Sequence, residues 1–304
     1  MADNNPGTNY DIRTLQLHLL AMLKDVAAAF ERHSLRWYMA DGTLLGAVRE
    51  KGFIPWDDDV DLAMPRPDYD RLIAHSREIL PEPYEFVCYE NDKKYPLHFG
   101  KVQDASTTLI ERPHLYYLGG VYLDIFPIDG VPDSPLARRL HTLRYQTLRK
   151  MLYLRCRDPF RHGRGPSSWV PRLLRRLCTV DKLQGAIRRE MTRCPFETSR
   201  LVAVNLNDGI PSIVDRELVL GEPTPTGFED MQAAGMRDNG TYLRQVFGDY
   251  MTPPPEGARH IHRFHCLDLH RPYRQYAGAK PGEDRCRKEV QSHPAASTAR
   301  RSSE

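Results

Sequence analysis

Residues 41–65 read DGTLLGAVREKGFIPWDDDVDLAMP, and this stretch decides how the rest of the chain is read. It opens on Gly42-Thr43 at a predicted strand-to-helix turn. The short apolar run Trp37-Tyr38-Met39-Ala40 leads into it, and Asp41 reads as the N-cap of the helix that follows. Gly52 and Pro55 punctuate the link to an acidic cluster of Asp57, Asp58, Asp59 and Asp61 in otherwise apolar surroundings. Successive side chains of a strand alternate faces, so Asp59 and Asp61 share one face while Val60 and Leu62 point into a core. Asp57 shares the face of the pair by the same parity. Neighbouring carboxylates repel unless a cation lies between them. A hard divalent ion that prefers oxygen resolves the conflict: Mg²⁺, with Mn²⁺ as the alternative. The first turn of the helix offers N–H groups and the Thr43 hydroxyl, a cradle for phosphate. The two halves together predict a site that holds a nucleotide polyphosphate through a metal, with Gly42 and Thr43 on the phosphates and Asp59 and Asp61 on the metal.

Working outward, Asp124 is the expected third carboxylate. It interrupts the apolar strand Tyr122-Leu123-Asp124-Ile125-Phe126, where a charge is costly unless paired or metal-bound. The bland alternative is an Asp that caps a loop at a strand end. Asp129, before Gly130 and Pro132, reads as a turn residue and stays outside the catalytic set. Lys101, in a strand between Phe99 and Val102, is expected on phosphate or nucleotide, against a surface ion pair. Arg49 and Lys51 are the cations nearest the turn, and Arg49 joins the phosphate-binding candidates. His260, His262 and His265 resemble a metal cluster, but no partner in the sequence closes a tetrahedral site. They are expected to contact substrate or to lie on plain surface.

Leu15, Leu19, Met22, Val26 and Phe30 recur at helical spacing and predict an amphipathic helix over 11–33. Pro67 opens a second helix, with Tyr69, Leu72, Ile73 and Ile79 on its buried side. Strands are predicted over 84–89, 98–104, 107–111 and 121–126. From Ser134 to Arg193 the pattern is helical and basic: Arg138, Arg139, Arg144 and Arg149 interleave with leucines, and Trp169, Leu173, Leu174 and Leu177 alternate with Arg172, Arg175 and Arg176. Such basic amphipathic helices can lie on an anionic membrane, or can pack their leucines on the core. Residues after 277 lack apolar periodicity and read as disordered.

A chain of 304 residues can bury a sizeable core, and its net charge of +3 does not suit a generic polyanion binder. No apolar run reaches the length of a membrane span, and no signal peptide is apparent. The six cysteines, at 88, 156, 178, 194, 266 and 286, have the spacing of neither a zinc site nor a disulfide scaffold, so a cytoplasmic setting is expected.

The stretch at 41–65 resembles the LicD family of phosphotransferases, within the nucleotidyltransferase-fold superfamily and related to fukutin-related proteins. The resemblance continues through Lys101 in HFGKVQD, VYLDIFPIDG at 121–130, Phe228-Glu229-Asp230 and FGDYMTPPPEGARH at 247–260, in family order. It implies an α/β (α+β) fold, a nucleotidyltransferase-like mixed sheet with a helical insertion. The expected divisions are a catalytic core over 1–133, the basic insertion over 134–200, the C-terminal part of the domain over 201–276 and a tail over 277–304. The family has a lysine at the position of Lys101, and a metal-associated or proton-accepting carboxylate at that of Asp124. The implied activity is transfer of a phospho-alcohol such as phosphocholine from a CDP-activated donor (CDP-choline, CDP-ribitol or CDP-glycerol) to a hydroxyl of a cell-surface glycan, with release of CMP. The acceptor is a glycan or lipid-linked glycan of the lipopolysaccharide or teichoic acid kind. No nucleic acid is expected. The enzyme is placed in the cytoplasm, with peripheral contact on the inner face of the cytoplasmic membrane. For choline, an aromatic cage is wanted, and Trp37, Trp56, Tyr89, Tyr116, Tyr117 and Tyr122 are available. Two alternatives come from other classes: a D-x-D glycosyltransferase that releases a nucleoside diphosphate, and a non-catalytic protein whose basic helices bind membrane or nucleic acid.

Overall fold

Leu15, Leu19, Met22, Val26 and Phe30 are all buried along one face of the first helix, α1 (Ile12–Arg32), which Asp11 caps by accepting from the Thr14 N–H. The coordinates are a computed structural model that describes residues 10–276 apart from 116, 260 and 263, so the tail at 277–304, Tyr116 and His260 lie outside the described residues. Strand β1 (Tyr38–Met39) follows α1 and leads directly into α2 (Asp41–Arg49). The chain returns through the acidic segment into β2 (Asp61–Pro65), antiparallel to β1, and enters α3 (Arg66–Ile79) at once. Pro67 lies in the first turn of α3, where a missing N–H breaks no helical bond.

Next come β3 (Tyr84–Val87), β4 (Gly100–Asp104) and β5 (Thr108–Ile110). The long apolar strand β6 (Tyr122–Gly130) then slots between β2 and β4. It runs parallel to β2 and antiparallel to β4, giving the order β1-β2-β6-β4-β3. This is a mixed α+β architecture with β6 as its spine. Burial on both faces explains why β6 reads as an almost continuous apolar run.

The basic region forms α4 (Pro135–Cys156), α5 (Trp169–Leu177) and α6 (Val180–Met191). Its apolar residues divide in two. Tyr145, Leu152, Leu183, Ile187 and Met191 make a second core with Val131, Ala203, Leu206 and Ile213. Leu136, Leu140, Leu143, Trp169, Leu173 and Leu177 stay exposed. Strand β7 (Leu201–Ala203) joins the C-terminal end of β6 at Asp129 and Gly130, and β8 (Ile213–Asp215) pairs with β7. The hairpin β9 (Thr224–Phe228) and β10 (Met231–Gly235), helix α7 (Asn239–Phe247) and β11 (Cys266–Asp268), which pairs with β5, follow among the described residues.

Two sequence expectations are corrected. Asp41 is not the N-cap of α2: Ala40 holds that position, and Asp41 is the first helical residue, at φ 42°. Among the cysteines, Cys266 is disulfide-bonded while Cys88, Cys156, Cys178 and Cys194 are free. Spacing along the chain detects clustered cysteines and is blind to a single bridge closed by the fold.

Candidate active site

Strand register assembles the centre. Asp61 on β2 lies directly opposite Asp124 on β6, and Lys101 on β4 lies opposite Asp124 from the other side. Side chains directly opposite each other point to the same face, so three charged residues from three strands meet in a row. Lys101 Nζ is 2.9 Å from Asp124 Oδ1 and sits over the Tyr122 ring, 3.0 Å from its centroid. The regular strand begins at Asp61, yet the Val60 carbonyl already accepts from the Asp124 N–H at 2.9 Å, which keeps Asp59 beside the row.

The electrostatics show a concentration of negative charge that the protein alone does not neutralise. Burial raises the Asp61 carboxyl well above the usual range, with Asp59, Asp41, Asp124 and Asp57 adding to it. Asp57 is raised well above its usual value by burial, then by the charge of Asp59 and a hydrogen bond to it. Burial pushes Asp59 up to about 6 against the pull of His262. Asp124 is raised by burial and held back by Lys101. Its Oδ1 is buried and paired with the Lys101 ammonium at 2.9 Å. Buried oxygen donors that raise one another's pKa and resist ionisation are the chemistry a hard divalent cation relieves. By its chemistry the donor set suits such an ion, while among the described residues the group whose ligand atoms already lie together is Asp58, Asp59 and His262.

Asp58 points away from this row and is fully occupied. It accepts from the Tyr10 hydroxyl, from the His262 N–H at 3.0 Å and from the His262 ring at 2.7 Å. The same ring nitrogen is 3.8 Å from Asp59, and the hydrogen bond to Asp58 raises His262 to about 9. Asp58, Asp59 and His262 are close enough to hold an ion as a group. A protonated His262 between two carboxylates is the better account, since both oxygens of Asp58 already accept hydrogen bonds. His262 therefore belongs to the acidic centre and not to plain surface. His265 donates its N–H to the Ile110 carbonyl at 2.7 Å.

The start of α2 lies against the carboxylates. A Cβ at Gly42 would come within 2.8 Å of Asp57 Oδ2, so the missing side chain lets the acidic segment close on the helix. The Thr43 hydroxyl accepts from the Asp61 N–H at 2.8 Å, tying the helix to the first residue of β2. Asp41 is buried beneath them and accepts from Tyr242 at 2.6 Å and Asn205 at 2.7 Å. Arg49 is not brought to this centre. It occupies the far end of α2, about 12 Å along the axis, where it holds Glu50 at 2.7 Å and the Tyr250 carbonyl at 2.9 Å. Asp129 likewise has a partner elsewhere, a two-bond pair with Arg66 at 2.7 and 2.6 Å.

Phe228-Glu229-Asp230 forms the tip of the β9–β10 hairpin and clamps the approach to the acidic segment. Phe228 packs on Phe53, and Glu229 accepts from Arg13 at 3.0 and 2.8 Å and from the Phe53 N–H at 3.2 Å. Asp230 accepts from Lys24 at 2.7 Å. Sequence reasoning missed Tyr10, Asn205 and Tyr242, which support the centre from remote parts of the chain. It also missed Tyr95 and Glu111. These two line a cavity beside Lys101 together with Tyr117 and Tyr122.

The family described as LicD/FKTN/FKRP, nucleotidyltransferase domain, matches residues 34–132, which span α2, the acidic segment, Lys101 and Asp124. Over those residues the chain matches a LicD-family domain. Beyond that domain, the lipopolysaccharide cholinephosphotransferase LicD of Haemophilus influenzae is 28% identical over 263 residues, covering 83% of this chain and 95% of its own length. Two uncharacterised proteins, RP689 of Rickettsia prowazekii and RT0683 of Rickettsia typhi, are each 36% identical over 66 residues, 22% of this chain and 23% and 20% of theirs. The LicD domain contains the three-strand row and the start of α2. Asn205, Tyr242 and His262, which support it, lie outside the matched segment.

Proposed function

We propose that this LicD-domain protein is a metal-dependent phosphotransferase that moves a phospho-alcohol from a CDP-activated donor to a glycan hydroxyl and releases CMP. The observation that carries the reading is the cross-strand row Asp61, Asp124 and Lys101, set against the N-terminus of α2 with Asp59 alongside. Asp59, Asp61 and Asp124 would hold Mg²⁺, which supplies charge neutralisation at the diphosphate. The α2 N–H groups at Gly42 and Thr43 orient the donor phosphates, and Lys101 meets charge developing on the transferred group. Asp124 takes the proton of the acceptor hydroxyl. The acceptor oxygen bonds to the distal phosphorus as the bridging P–O bond breaks, and the electron pair leaves with CMP.

For the transferred group, we favour a quaternary ammonium over a polyol. Tyr95 and Tyr117 pack edge to face at 5.1 Å beside Tyr122, whose face carries Lys101 at 3.0 Å. The likeness to a protein named as a cholinephosphotransferase supports the same choice. Of the other aromatic candidates, Trp37 is in the core, Trp56 carries Arg259 on its face at 4.2 Å, and Tyr89 donates to Asp181 at 2.5 Å. Among the described residues no helix is long and apolar enough to cross a membrane. The exposed stripe of Trp169, Leu173 and Leu177, with Arg172, Arg175 and Arg176, supports peripheral contact with the inner face of an anionic membrane.

The test is incubation with CDP-choline, CDP-ribitol and CDP-glycerol, with and without Mg²⁺, in the presence of a lipopolysaccharide or teichoic acid acceptor. Metal-dependent CMP release, fastest with CDP-choline, is the expected result. Release of a nucleoside diphosphate from a sugar nucleotide instead would assign the site to a glycosyltransferase.

A further inference from the structure

A cleft of about 560 Å³ lies between His262, beside the acidic centre, and the end of the helical lobe. Three separate parts of the chain line it: Glu111, Arg112 and His114 after β5, Tyr153 and Arg161 at the end of α4, and His262 beside Asp59. Its polar groups are mostly donors. Arg161 Nη1 donates to Tyr153 at 2.8 Å and lies 2.9 Å from His114 Nε2, two neutral partners. No carboxylate among the described residues pairs with Arg161, and the nearby Asp158 caps its own turn by accepting from Phe160 N–H at 2.9 Å. Glu111, the one carboxylate in the lining, is already taken, by Arg112 at 2.6 Å and by the Tyr122 hydroxyl at 2.9 Å. Burial and the charges of Arg161, Arg112 and Arg157 push His114 down to about 4, so the ring stays neutral among cations. The seam is fixed in place, since the Asp158 N–H donates to the His114 carbonyl at 2.8 Å.

Two guanidinium groups from separate segments, Arg161 and the Glu111-paired Arg112, share the lining with a tyrosine and a neutral histidine, a set that suits an oxyanion with several terminal oxygens. We infer that this cleft binds a phosphate group carried by the acceptor glycan, and so sets which hydroxyl reaches Asp59, Asp61 and Asp124. The inference rests on the transferase reading for its purpose, but its binding test does not. A phosphate held in the cleft would anchor the acceptor on the side of the centre where His262 forms the boundary. It would also attract an anionic glycan to a site whose own carboxylates repel it.

The test is calorimetric titration of the full chain with glucose 6-phosphate, glucose and glycerol 3-phosphate in EDTA, without donor. With no metal to bridge phosphate to the carboxylates, binding that falls with Arg161→Gln or Arg112→Gln reports on the cleft and not on Gly42, Thr43 or Lys101. Glucose 6-phosphate is expected to bind and glucose not to. Arg161→Gln and Arg112→Gln should each weaken binding about tenfold, and Asp61→Asn should leave it unchanged. Both arginines are exposed, so either variant folds unless the circular dichroism of both says otherwise. Absence of binding, binding indifferent to both arginine variants, or binding lost in Asp61→Asn overturns the inference. Tighter binding of glycerol 3-phosphate overturns the assignment to a glycan, since that result marks a lipid headgroup site. CMP release, measured separately, tests the transferase reading, so the two can fail independently.

Discussion

At the scale of single residues, the centre depends on carboxylates kept closer together than their charges favour. Asp59→Ala and Asp61→Ala should each lower metal-dependent CMP release on the order of a hundredfold or more, with the circular dichroism spectrum unchanged. Near-normal turnover in either folded variant would remove that residue from the site. Gly42 is a subtler case. A methyl group there meets Asp57 Oδ2 at 2.8 Å, and the carboxylate, as the end of a side chain, can swing aside. Gly42→Ala should therefore fold, but should displace Asp57 from Asp59 and slow turnover about tenfold, roughly 1.4 kcal/mol. Loss of folding instead would mean that the helix start, and not the carboxylate, controls the position.

At the scale of elements, the joint between the sheet and the helical lobe contains a buried polar network. His98 Nε2 lies 2.5 Å from the Tyr145 hydroxyl on α4 and 2.9 Å from Asn207 Oδ1. Asn207 Oδ1 also accepts from Tyr145 at 2.7 Å and from Arg149 at 3.1 Å. Burial pushes His98 down to about 4, with Arg149 helping and Asn207 opposing. The unfolded chain takes up this proton near pH 6.5 and the folded chain only near 4. Between those values the unfolded state binds more protons, so stability is lost as pH falls through the window and is recovered above it. Urea unfolding at pH 7.5 and 5.0 should give a larger drop for the natural protein than for His98→Gln. Equal drops would show that His98 protonates in place without straining the joint.

At the scale of the whole molecule, the lobe exposes an unpaired face. Trp169, Leu173 and Leu177 recur at four-residue spacing on α5 and are 63%, 55% and 68% exposed, flanked by Arg172, Arg175 and Arg176. The purified protein should float with vesicles containing anionic lipid and come off as salt is raised, since each cation near such a surface adds roughly 1 kcal/mol over a Debye length. Arg172→Glu, Arg175→Glu and Arg176→Glu together should weaken flotation and leave CMP release on a soluble acceptor unchanged. Equal binding to neutral and anionic vesicles would mean that these arginines serve only solubility.

The sequence by itself determined the α+β class, the helix of α1, the apolar strand around Asp124 and the LicD resemblance. These are local properties: periodicity, a turn and a charge in an apolar run each leave a mark within a few residues. It also marked Asp59, Asp61, Lys101 and Asp124 as chemically anomalous. Only the tertiary structure decided their company. Parallel pairing of β2 with β6 sets Asp61 opposite Asp124, while antiparallel pairing of β4 adds Lys101, and no local pattern states which strands pair or in what register. The same limit hid His262, which reaches Asp58 from about two hundred residues away, and placed Arg49 at the wrong end of its helix. It left the leucines of the basic region undivided, because an amphipathic helix looks alike in sequence whether core or solvent covers its apolar side. Burial, register and charge coupling arise only when distant segments meet, and the candidate site is made of all three.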